Sequence, residues 1–107
     1  MRQISAGDLA VWLADANRDK PELLDVREPW ETEICKITDS RLIPMSTVPM
    51  RVGELDPDKP LVVICHHGAR SAQVGYFLER NGFAEVINLA GGVAAWAEQV
   101  DPAMARY

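Results

Sequence analysis

Disulfides cannot hold this chain together: its 107 residues include only two cysteines, Cys35 and Cys65, too few for a cysteine-stapled scaffold. Clustered positive charge is also missing. Its 11 Lys and Arg are scattered among 16 Asp and Glu, for a net charge of −5, which argues against a general nucleic-acid binder with its basic stripe. No apolar run approaches the roughly 20 residues of a membrane helix, and MRQISAGDL at the N-terminus lacks the apolar centre of a signal peptide. Repeats and low-complexity tracts are absent. The only histidines, His66 and His67, are adjacent, so their side chains are expected to point apart. No second ligand pair has zinc-like spacing, and neither a metal nor a cofactor is expected. With 48% hydrophobic and 25% charged residues, what remains is one domain, 1–107, able to bury its own core. The lack of a disulfide framework and of an export signal points to the reducing cytoplasm.

What is present centres on LVVICHHGARS, residues 61 to 71. Leu61, Val62, Val63 and Ile64 form a continuous apolar run, the mark of a strand buried on both faces of a parallel sheet. From Arg70 the pattern turns helical, with Ser71, Val74, Gly75 and Leu78 on one face. Cys65 therefore falls at a strand's C-terminal end, where open α/β sheets place their ligands. A tight strand-to-helix turn aims several backbone N–H groups at one point, an anion cradle that favours a thiolate. A buried inert thiol is the plainer alternative, since free cysteine is often core. His66, His67 and Arg70 are ill suited to enclose an inert thiol, and Gly68 gives a ring of amides its permissive backbone. Cys65 is read as a nucleophile.

Around this centre, Ser5 caps a helix carrying Leu9, Trp12, Leu13 and Ala16. Glu22 to Val26 reads as a strand, Glu28 to Cys35 as a short acidic helix with Pro29 in its first turn, and Arg41 to Pro44 as another strand. Ser46 to Leu55 reads as helix and Asp56 to Pro60 as turn; Asn81-Gly82 ends the next helix, with Phe83 packing back. Glu85 to Leu89 is a further strand and Val93 to Gln99 a last helix, while the tail from Val100 to Tyr107 shows no pattern. Trp12 and Trp96 read as core and Trp30 as pocket rim. Strands alternating with helices imply a parallel sheet covered on both faces.

DVREPWE (Asp25 to Glu31), CHHGARS (Cys65 to Ser71), YFLERNGF (Tyr76 to Phe83) and NLAGGVAAW (Asn88 to Trp96) occur in this order. Together, over nearly the whole chain, they resemble single-domain rhodanese-like proteins. The resemblance implies an α/β, three-layer fold with a central, mostly parallel five-stranded sheet and helices on both faces. It implies activity of the thiosulfate sulfurtransferase type, in which Cys65 takes up a sulfane sulfur as a persulfide and passes it to cyanide or a thiol. Cys65 matches the catalytic cysteine, His66, His67, Gly68, Ala69 and Arg70 match the rest of the substrate loop, and Asp25 and Arg27 match a scaffold motif. One segment departs: in ICKITDSRLIP, Lys36 stands near the usual histidine and Thr38-Asp39 where Pro-Gly is common.

The chemistry runs the same way. A thiolate that attacks the outer sulfur of thiosulfate releases sulfite, and the amides that held the thiolate then hold the terminal persulfide sulfur. Arg70 either orients an anionic donor or fixes the loop through Glu31 or Asp25. The expected partners are a small anionic sulfur donor, a thiol or cyanide acceptor, and a sulfur-relay protein if Cys65 serves as a persulfide carrier. A silent binding module is a further alternative. A cysteine-dependent phosphatase is a distant one, because its loop holds five residues between Cys and Arg and only four intervene here. Cys35, beside Glu31 and Glu33, reads as structural.

Overall fold

The computed structural model describes residues 1–107. Its strands are β1 (Arg2–Ile4), β2 (Glu22–Asp25), β3 (Arg41–Leu42), β4 (Leu61–Ile64) and β5 (Val86–Leu89). They form one sheet in the order β1-β5-β4-β2-β3, and every neighbouring pair is parallel. β1 carries no sequence signature because it is three residues long, largely exposed, and lies at an edge against β5.

β4 sits in the middle and is buried along its whole length. Leu61, Val63 and Cys65 face one core layer, with Val48 of α3 (Val48–Arg51) and Val74 and Leu78 of α4 (Ala69–Arg80). Val62 and Ile64 face the other, with Leu9 and Trp12 of α1 (Ala6–Ala14) and Val93 and Trp96 of α5 (Gly92–Gln99). Burying each such side chain stabilises the fold by about 1.5–3 kcal/mol. This two-sided burial fixes the register of β4, and so fixes where Cys65 emerges.

The helix ends follow their local chemistry. Ser5 Oγ accepts the Asp8 amide at 3.0 Å, and α4 stops where Gly82 turns left-handed and the Phe83 amide reaches back to Leu78 O at 3.2 Å. Two stretches differ from expectation. Ser46 to Leu55 is a 3-10 turn, the short helix α3, and a second 3-10 turn. Pro49 restricts helix to a start around it, and Gly53 weakens continuation. Asp39, at the position where the resemblance leads one to expect glycine, adopts φ +67°, a conformation Asp tolerates better than most residues. The Ser40 amide and hydroxyl close this turn on Ile37 O at 3.1 and 2.7 Å. No helix is long and apolar enough to cross a membrane.

Candidate active site

Cys65 lies where β4 gives way to α4, and its side chain is 1% exposed. Sγ accepts the Gly68 amide at 3.0 Å and lies 3.2 Å from Ser71 Oγ. Gly68, at φ +107°, is the N-cap of α4. The amides of His66, His67, Ala69, Arg70 and Ser71 have no backbone acceptor. Two loop carbonyls are instead drawn toward α5: Val93 N–H donates to Cys65 O at 2.9 Å and Ala94 N–H to His66 O at 3.1 Å. The contact demands Gly92, which has φ +58°; a Cβ there would lie 2.3 Å from Cys65 O and 2.4 Å from His66 O. The double glycine of NLAGG is thus the seat on which the cysteine loop rests.

A buried charged layer flanks the loop. Arg27 binds both oxygens of Asp25 at 2.8–3.1 Å, Cys35 O at 2.7 Å and the Tyr107 hydroxyl at 3.0 Å. Burial opposes its charge, but the hydrogen bonds to Asp25 and Tyr107 outweigh burial and raise its pKa further. Asp25 and Arg27 therefore tie the end of β2 to α2 (Pro29–Ile34) and the tail, as their scaffold reading implies. Of the two carboxylates open to Arg70, Glu31 takes it: Nη1 and Nη2 donate to Oε2 and Oε1 at 2.7 and 2.8 Å. Glu31 Oε2 also accepts the Glu28 amide and Oε1 the Tyr107 hydroxyl, each at 2.8 Å. The Arg70 fork outweighs burial and pulls the Glu31 carboxyl down to about 2.

The two histidines do not point apart, contrary to expectation. Their rings stack with centroids 4.0 Å apart, because alternation of side chains holds for an extended strand and not for this curved loop. His66 also stacks on Tyr107 at 4.0 Å, and Trp30 meets Tyr107 edge-on at 5.7 Å. His67 is exposed and His66 half-buried. Burial, and next the neighbouring His67, push the His66 imidazole below its ordinary 6.5. Ala69 is exposed at the first position of α4.

Tyr107 is the site residue that sequence reasoning missed; the only hint was an aromatic in a tail of small and polar residues. With His66, His67, Cys35, Glu98 and Arg106 it borders a cavity of about 160 Å³. A larger cleft of about 650 Å³ lies at the opposite ends of β2 and β4 and contains no loop residue. Cys35 is a free thiol at the end of α2, with Arg27 Nη1 3.8 Å from its sulfur. Of the two carboxylates expected beside it, Glu31 is turned away to Arg70, and the Arg27 cation faces the Cys35 sulfur. No group of three or more His, Cys, Asp or Glu is arranged to hold a metal ion, and what the loop offers a ligand is amides.

The model of the rhodanese-like domain matches residues 7–99. A sulfurtransferase of Allochromatium vinosum is 35% identical over 105 residues, covering 98% of this chain and 96% of that protein. Thiosulfate sulfurtransferase GlpE of Pseudomonas syringae is 38% identical over 74 residues, 69% of this chain and 70% of its own. A rhodanese-like domain protein of Staphylococcus aureus superposes with a TM-score of 0.85 at 31% identity, covering 94% of this chain and 95% of that one. Some longer curated relatives are matched over only 26–31% of their length. Matched in sequence and in backbone along nearly all of its length, the chain belongs to the rhodanese-like domain family, of the sulfurtransferase type.

Proposed function

We propose that this protein moves a sulfane sulfur from a small anionic donor such as thiosulfate to a thiol or cyanide, through a persulfide on Cys65. The carrying observation is the loop with four residues between Cys65 and Arg70, whose Gly68 amide already holds the sulfur while five neighbouring amides lack backbone acceptors. Cys65 thiolate attacks the outer sulfur of thiosulfate; a new S–S bond forms, the old S–S bond breaks, and sulfite leaves with its electron pair. The terminal sulfur takes the negative charge and the loop amides stabilise it. An incoming thiolate or cyanide then bonds that sulfur and returns Cys65 as thiolate. His66, His67, Gly68 and Ala69 shape the loop, and Arg70 holds its far end through Glu31. The free thiols suit a reducing, cytoplasmic setting, where a sulfur-relay protein would serve equally as donor or acceptor.

Mass spectrometry of the native protein before and after thiosulfate, and again after cyanide, tests the reading. A gain of one sulfur at Cys65 that cyanide removes as thiocyanate is expected. Cys65→Ser should abolish transfer while Cys35→Ser keeps most of it. Turnover by Cys65→Ser, or hydrolysis of p-nitrophenyl phosphate that Cys65→Ser loses, would overturn the proposal in favour of other chemistry.

A further inference from the structure

From Cys65 a chain of side-chain hydrogen bonds runs through α4 to β5 and β1. Ser71 is fully buried and Asn88 is 4% exposed. The member with no choice sets the chain's polarity. Gly68 O is a backbone carbonyl and only accepts, so Asn88 turns Nδ2 toward it at 3.2 Å. The same amide group donates to Gln3 Oε1 at 2.9 Å. Asn88 Oδ1 then faces Ser71 and only accepts, so the single hydroxyl proton of Ser71 goes to Asn88. Ser71 Oγ, 3.2 Å from Cys65 Sγ, presents only lone pairs to the sulfur.

We infer that Asn88 makes Ser71 an acceptor for the Cys65 thiol, a bond that opposes loss of the S–H proton against the Gly68 amide, which favours that loss. To form thiolate, the S–H proton leaves to solvent and Ser71 turns its own proton from Asn88 to sulfur. That turn leaves Asn88 Oδ1 buried without a donor, which is costly. A persulfide escapes this conflict: its Sγ carries no proton, its charge sits on the terminal sulfur against the loop amides, and Ser71 stays on Asn88. The chain therefore weighs against the bare thiolate more than against the loaded persulfide, while the Gly68 amide on Sγ pulls the other way. Asn88 is a positioning residue acting through Ser71. The charged and titratable groups around the loop are Arg70 with Glu31, Arg27 with Asp25, and His66 and His67; none of them hydrogen-bonds to Ser71 or Asn88.

The test uses Cys35→Ser protein, so that one thiol reports, and follows the pH dependence of iodoacetamide alkylation. Asn88→Ala frees the Ser71 proton for sulfur and should lower the midpoint by about one unit, the value of a hydrogen bond to a charged group. In a Ser71→Ala background Asn88→Ala should leave the midpoint where Ser71→Ala put it, because the link is gone. A midpoint that stays or rises in folded Asn88→Ala, or a shift that persists without Ser71, would overturn the inference. Infrared spectroscopy reads the same bond without touching Asn88: the S–H stretch of Cys65 should lie below that of a free thiol and rise in Ser71→Ala. A free-thiol band before that substitution would also overturn it. The inference rests on Cys65 as the reactive thiol, but both readouts omit any sulfur donor, so its failure and that of the proposed function are separable.

Discussion

Replacing Gly92 with alanine tests how the cysteine loop is seated. The added Cβ would meet Cys65 O at 2.3 Å, His66 O at 2.4 Å and the His66 carbonyl carbon at 2.5 Å. All three are backbone atoms, so no flexible side chain can yield. Gly82 is the natural control: it too has a positive φ, +88°, but nothing lies within 4 Å of its would-be Cβ. Gly82→Ala should cost only the left-handed strain of a side-chain residue, about 1–2 kcal/mol. Gly92→Ala bears that strain plus overpacking worth about 1–3 kcal/mol. It also stretches the bonds from Val93 and Ala94 to the loop, each worth about 0.5–1.5 kcal/mol. A total loss of about 3–8 kcal/mol is expected, at least about 2 kcal/mol beyond the control. Urea unfolding followed by the fluorescence of buried Trp12 and Trp96 measures both, with an unchanged m-value confirming that the same surface is exposed. Equal losses at the two glycines would refute the claim that contact with the loop, rather than backbone conformation, is why residue 92 lacks a side chain.

Glu31 is held near 2 against an ordinary 4.5, so its stabilisation is whole above 4.5 and fades as the pH falls toward 2. Roughly 2–3 kcal/mol should vanish across that window in urea titrations, and Glu31→Gln should flatten the acid limb. Tyr107→Phe removes a hydroxyl shared by Arg27 and Glu31 and should cost about 1–3 kcal/mol while keeping the fold. Burial is the main force pushing that hydroxyl up to about 12, so its stabilisation is whole below 10 and lost as the pH climbs through 12. Ultraviolet titration of the two tyrosines should show one ionising late, and a single transition at the ordinary value would contradict the geometry. Asp39→Gly relieves a left-handed side-chain residue and should raise stability by up to about 1 kcal/mol in the same unfolding assay; a loss would mean that Asp39 holds its turn through its side chain.

The parts of the fold that were legible are those whose cause is local. Four consecutive apolar residues made β4 readable, and with it the position of Cys65; Asn81-Gly82 marked the end of α4. β1 was hidden because an exposed three-residue edge strand has neither a period nor a core face. Arg70 could be narrowed to two carboxylates but not to one, since the choice depends on Arg27 occupying Asp25 and on the first turn of α2 carrying Glu31 toward the loop. Tyr107 reaches Glu31 across 76 positions and Cys35 meets Arg27 only after a helix has turned back. Contacts of that kind come from the packed chain, and no motif announces them.

The sheet order also sets a timetable. Within this sheet β1 is made before the other four strands and pairs only with β5, made after them, and Gln3 meets Asn88 across 85 positions. At roughly 5–20 residues per second, synthesis keeps that edge unpaired for several seconds while β2 and β4 are already able to align. Closing so long a loop for one short strand gives the edge the smallest return of any pairing in the sheet. In hydrogen exchange the β1 amides should accordingly open before the others, and Gln3, the outermost link of the chain behind the cysteine, is among the last pieces of the nascent protein to find its place.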